Sequence, residues 1–179
     1  MANAQDITAP LTTAAKPRAP AADRLSARIA SSPGAIAELW SALETDPATS
    51  FHQSRAWVEA WTNGTGASLS VVTLNHNGIP FAVLPLEIER KRGLSIARFA
   101  GTAHSNENTG LVDTKQLSKV GPVSAGQLAR ALSEAGLAAD IVLFEKMTPE
   151  TATRPPFSCL PRVFHQNPSF QLPLFRDFS

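Results

Sequence analysis

Three runs of strand-like alternation follow one another between Ser68 and Ala100, and the breaks between them are too short for anything but tight turns. Leu69 to Leu74 is the first, Ile79 to Glu89 the second with Phe81, Val83 and Pro85 in alternation, and Leu94 to Ala100 the third. The first break contains Asn77-Gly78, and a type I′ turn needs positive φ at both central residues, which this pair supplies at little cost. The second break is Arg90-Lys91-Arg92-Gly93. Period-two patterning joined by such turns predicts a three-strand antiparallel meander, and the rest of the chain must cover it.

The covering elements are helical. Ser31-Ser32-Pro33 offers a cap and a proline for a helix over 33 to 45, and Ile36, Leu39, Trp40 and Leu43 fall on one face of it. Ser54 caps a second helix in which Trp57 and Trp61 stand one turn apart before Gly64 and Gly66. A lead-in strand is expected at Leu25 to Ile29. After the meander, Gly101 to Gly110 contains no large apolar side chain and reads as an exposed loop ahead of Leu111-Val112-Asp113. Ser124 caps a third helix to about Ala135, striped by Leu128, Ala131, Leu132 and Ala135, with Gly136 at its end. Ile141 to Phe144 reads as a buried strand.

The two ends differ from the middle. Residues 1 to 24 are rich in Ala, Pro and Thr and hold too little apolar surface to offset the entropy of ordering them, so a disordered tail is expected. From Pro149 on, prolines at 149, 155, 156, 161, 168 and 173 favour extended segments and turns over helix, with a last strand candidate at Ser169 to Leu174. The resulting division is tail 1–24, folded domain 25–148 and proline-rich segment 149–179.

Composition narrows the function classes. Apolar residues are 43% of the 179, enough for a real core, and the net charge of +1 offers no broad field for nucleic acid. No run approaches the roughly 18 apolar residues of a membrane span. The N-terminus lacks the apolar stretch of a signal peptide. The single Cys159 forms no internal disulfide, in keeping with a cytoplasmic location.

Three segments carry a resemblance: Phe51-His52-Gln53-Ser54-Arg55-Ala56-Trp57-Val58-Glu59-Ala60-Trp61, Pro80-Phe81-Ala82-Val83-Leu84-Pro85-Leu86, and Arg98-Phe99-Ala100-Gly101-Thr102-Ala103-His104-Ser105. In this order, with the element pattern over 33 to 145, they resemble the N-terminal half of CelD/BcsL-type acyltransferases of the GNAT superfamily, associated with cellulose and other exopolysaccharide synthesis. The resemblance implies an α+β class with a GNAT-like, mostly antiparallel sheet flanked by helices. It implies transfer of an acyl group from acetyl-CoA or another acyl-CoA to an amine or hydroxyl of a small-molecule or saccharide acceptor. Members of that family run to about twice this length with the acyl-CoA site in the C-terminal half, so the chain reads as an N-terminal part, with a non-catalytic accessory domain as the alternative.

Candidate chemistry lies in two places. Arg90-Lys91-Arg92-Gly93-Leu94-Ser95 matches the Arg-x-x-Gly-x-Gly/Ala pyrophosphate loop of such enzymes except at its last residue, which makes Arg90, Arg92 and Gly93 cofactor candidates. The strand-like alternation after Gly93 instead favours a basic hairpin turn. In the loop, Glu107 or His104 could take a proton from an attacking amine or hydroxyl, with Ser105, Asn106 and Asn108 as acceptor contacts, while a solvated, self-bonded turn is the rival reading. His104, Glu107 and Asp113 make a poor metal set, so no metal is assigned. Cys159 with His165 could suggest a thiol nucleophile and its base, but a lone Cys between Ser158 and Leu160 in a proline-rich run reads as a small buried hydrophobe. Trp40, Trp57 and Trp61 read as core, with a sugar-stacking platform as the other possibility.

Overall fold

Both turns form hairpins, and they organise the molecule. The computed structural model describes residues 24–46 and 49–163. Asn77 and Gly78 take φ of 51° and 84°, and Arg92 and Gly93 take 52° and 84°. They join β2 (Leu69–His76), β3 (Ile79–Lys91) and β4 (Leu94–Phe99) into the antiparallel meander. The lead-in strand β1 (Leu25–Ala30) adds to β2 in antiparallel register, Leu25 opposite His76 and Ala30 opposite Val71. At 13 residues β3 is longer than any one neighbour: its second half pairs with β4, and Ala82 and Val83 pair with the short β5 (Leu111–Val112).

The class is α+β, with a six-stranded, mostly antiparallel sheet flanked by helices. Its exception is β6 (Ile141–Leu143), which lies parallel to β4 at the end of the order β1-β2-β3-β4-β6. The chain reaches β6 through α3 (Thr114–Leu117) and α4 (Ala125–Glu134), and a long helical crossover of this kind can deliver a strand running in the same direction. The strand was expected to be buried; instead Ile141 and Leu143 are 38% and 37% exposed, because β6 is an edge strand with only one face covered.

One face of the sheet packs under α1 (Ala37–Glu44) and α2 (Arg55–Thr65), where Trp40, Leu43 and Val58 meet Val71, Val83 and Leu111. The other face, with Val72, Leu84, Leu86, Ala97 and Phe99, meets Leu128 and Leu132 of α4. Burying each of these larger side chains contributes roughly 1.5–3 kcal/mol. The single helix expected over 33 to 45 is divided: Pro33–Ile36 forms a 3-10 turn, Ile36 has φ −129°, and Ser32 makes no side-chain cap. Ser54 and Ser124 do cap, accepting from Trp57 N and Gln127 N, and Gln127 closes a capping box.

Past residue 148 the proline-rich stretch contains helix after all. Thr148 caps α5 (Pro149–Ala152), whose proline sits in the first turn where no N–H is needed, and Phe157–Cys159 forms a 3-10 turn. Phe157 is buried against Phe144, so the core extends beyond 148. Cys159 is half-buried, its thiol directed to Pro156 O at 3.0 Å. The tail apart from Arg24, the strand candidate at Ser169 to Leu174, and His165 lie outside the described residues.

Candidate functional site

The polar stretch 101–110 is not an exposed loop. Gly101, Thr102, Ser105, Asn108, Thr109 and Gly110 are buried, while Ala103, His104 and Asn106 face solvent. Polar residues without apolar bulk can be buried if every group finds a partner. Here Asn108, wholly buried, supplies most of them. Its backbone N–H donates to Lys146 O at 2.9 Å, and its Nδ2 donates to Thr102 Oγ1 at 2.8 Å and to Glu145 O at 3.1 Å. Its Oδ1 accepts from Gln53 Nε2 at 3.3 Å. Gln53 is itself buried, and its Oε1 accepts from Ser50 Oγ and from Thr109 Oγ1.

Lys146 closes the loop from the far side. Its Nζ donates to Thr102 O at 2.6 Å and to Ser105 O at 2.7 Å, and it holds a left-handed backbone at φ 56°. Charge-assisted hydrogen bonds of this kind contribute about 1.5–3 kcal/mol. Lys146→Met should therefore lower stability by about 2 kcal/mol and speed hydrogen exchange at the loop amides. Lys146→Arg should restore part of that protection; equal exchange in the methionine variant and the parent would show that the latch does not hold the loop.

Against this rigid loop stands a row of rings. Phe51 meets His52 at 5.8 Å between centroids, His52 meets Trp57 at 5.1 Å, Trp57 meets Trp61 at 6.4 Å, and Trp61 meets His104 at 5.2 Å. The i, i+4 spacing on α2 makes the two indoles near-parallel, 20° apart. Trp61 Nε1 donates to Glu87 Oε2 at 2.8 Å, and the same oxygen accepts from Gly101 N at 3.4 Å, tying helix, strand and loop together. Gly101 lets the loop approach: a Cβ there would lie 3.3 Å from Trp57 Nε1. At the outer end of the row Phe51 is 69% exposed.

The candidate residues separate into two groups. His104 and Asn106 are exposed, and Glu107 is half-buried beside Gln53, whose Nε2 donates to Glu107 O at 3.4 Å. Ser105 and Asn108 turn inward, Ser105 Oγ donating to Thr102 O at 3.3 Å, so both hold the loop in shape and neither faces solvent. Asp113 caps α3 through Lys115 N and Gln116 N. Among the described residues no group of three or more His, Cys, Asp or Glu side chains could hold a metal ion.

Arg90, Arg92 and Gly93 lie at the exposed β3–β4 hairpin, and β4 follows immediately. Because the chain runs from Gly93 straight into a strand, the turn is not a strand-to-helix junction, and these residues do not fit an acyl-CoA pyrophosphate, which such enzymes hold on free N–H groups at the start of a helix. Comparison with family models, curated proteins and solved structures finds no match. No helix among the described residues is long and apolar enough to cross a membrane.

Several contributors carry no sequence signal. Gln53 just before α2, Glu87 on β3, and the adjacent Glu145 and Lys146 after β6 all lie outside the loop, and no spacing in the sequence links them to it. Gln53 lies 55 residues from Asn108, and Lys146 lies 44 from Thr102. Only the i, i+4 tryptophans hinted at the ring row.

Proposed function

We propose that this chain serves the acceptor side of a GNAT-type acyl transfer, as an accessory domain that orients a small-molecule or saccharide acceptor rather than as the holder of the acyl-CoA. The observation that carries the reading is the ring row ending on exposed His104, fixed by a loop whose inner side chains are all engaged. Rings with polar groups at their margins suit the apolar face and hydroxyl rim of a sugar. His104, with Glu107 three residues further on, is the group that would accept the proton of an attacking hydroxyl or amine, and rigid placement is what such a step asks of a protein.

The poor fit of the Arg90 to Gly93 hairpin to pyrophosphate supports assigning the acyl donor elsewhere. Isothermal titration with acetyl-CoA tests this. No saturable heat is expected; micromolar binding that disappears in Arg90→Ala/Arg92→Ala would overturn the reading in favour of a self-sufficient transferase.

A further inference from the structure

Among the described residues Leu160 is the last that packs against the core. It lines an apolar groove of about 330 Å³ between β6 and α4, together with Leu128, Leu132, Leu137, Val142 and Phe144. Three residues later Val163 is 97% exposed, and residues 164–179 continue the chain from there. No strand lies beyond β6 among the described residues. An open groove, an unpaired strand edge and the start of sixteen further residues therefore lie side by side.

Those sixteen residues are not composed like a solvated tail. Phe164, Phe170, Leu172, Leu174, Phe175 and Phe178 stand among them, with only two formal charges, Arg176 and Asp177, of opposite sign. Residues 1–23 are more numerous, yet beyond the initiator they hold only Ile7 and Leu11 as large apolar side chains. Apolar side chains at the density of 164–179 gain free energy from a surface to cover. Their order is also specific: Phe170, Leu172 and Leu174 alternate with Gln171 and Pro173, the period of a strand with one apolar face.

Charge selects no occupant for this edge, because Glu89, Asp140 and Glu145 stand among Arg90, Arg98 and Lys146. Apolar pattern and covalent attachment do. A segment on a short tether is present at an effective concentration in the millimolar range, which favours it over any free polypeptide. We propose that residues 170–174 of this chain add to β6 as the outermost strand of the sheet. Phe170, Leu172 and Leu174 enter the groove against Val142 and Phe144, and Gln171 and Pro173 take the opposite, open face. Residues 164–168 make the connection: five extended residues reach on the order of 17 Å, more than the roughly 10 Å of a strand as short as β6. Pro173 is tolerated there, since on an outermost strand its missing N–H faces away from the ladder. The added strand closes the β6 edge to other chains. This surface is separate from the ring row.

Nuclear magnetic resonance on the full, isotope-labelled chain tests the pairing. Overhauser contacts should join the backbone of 170–174 to Ile141–Leu143 and the side chains of Phe170 or Leu172 to Val142 and Phe144. The β6 amides directed away from β4 should exchange slowly. Leu172→Asp should speed that exchange at least tenfold, while the amides of Val72 and Leu84, paired in the central strands, report that the sheet is intact. Gln166→Asp, which places the same charge in the connecting stretch, should leave β6 exchange unchanged. Three results would overturn the proposal. The first is a parent chain without contacts between the two segments, which decides the matter whether or not the variant folds. The second is contacts seen only between labelled and unlabelled chains in a mixed sample, which identifies another copy as the occupant. The third is β6 exchange in Leu172→Asp equal to that of the parent.

Discussion

Gly110→Ala should cost the protein about 2–4 kcal/mol, the largest loss expected of any single methyl addition here. Gly110 joins the buried loop to β5 at φ +66°, a conformation that costs an L residue roughly 1–2 kcal/mol. Space is the larger difficulty. A Cβ would stand 2.7 Å from Leu84 Cδ2 and 3.0 Å from the Val83 carbonyl oxygen. Leu84 is fully buried in the central strand, and Val83 is hydrogen-bonded across the sheet, so neither can withdraw without disturbing β3. Urea denaturation followed by circular dichroism gives the number. A loss under about 1 kcal/mol would mean that the loop enters β5 by a different path.

Asn108→Ala should be nearly as damaging, at about 2–4 kcal/mol. Truncation removes the amide that joins Thr102 Oγ1, Glu145 O and Gln53 Nε2, and it leaves polar groups buried without partners. Such groups cost about 1–3 kcal/mol each, and the small cavity adds to this. Asn108→Asp separates size from chemistry, since it keeps the volume but replaces the two donor hydrogens with an acceptor facing the Glu145 carbonyl. It should be no more stable than the alanine variant. An aspartate variant as stable as the parent would contradict the network.

The sheet was legible because its signals are local. Asn77-Gly78 and Arg90 to Gly93 state their turns in a few residues, and the alternation of Phe81, Val83 and Pro85 states the strand between them. The caps Ser54 and Ser124 were equally plain. Features that depend on distant partners were not. Nothing near Ile141 says that β6 will find β4 in parallel and at an edge, because that depends on where α4 carries the chain. The loop misled for a related reason: lack of apolar side chains resembles exposure until Gln53 and Lys146 arrive from elsewhere with donors for its buried groups.

The site was half legible. His104 and Asn106 do reach solvent and His104 joins the tryptophans, but Ser105 and Asn108 differ from them only in which way the chain turns. The hairpin geometry of Arg90 to Gly93, with β4 following directly, is what distinguishes that turn from a strand-to-helix phosphate loop.

The most direct test of the proposed acceptor-side role is a tryptophan fluorescence titration with cellopentaose as the saccharide probe, on the parent chain and on Phe51→Ala. Phe51 is exposed, so its removal should leave stability unchanged while shortening the ring row. The account predicts a saturable change in emission with half-saturation at or below about 1 mM, near 4 kcal/mol of binding free energy, and a several-fold weaker response in the variant. An emission spectrum that does not respond at concentrations well above this, or responds identically in both proteins, would contradict the assignment of the ring row as an acceptor surface.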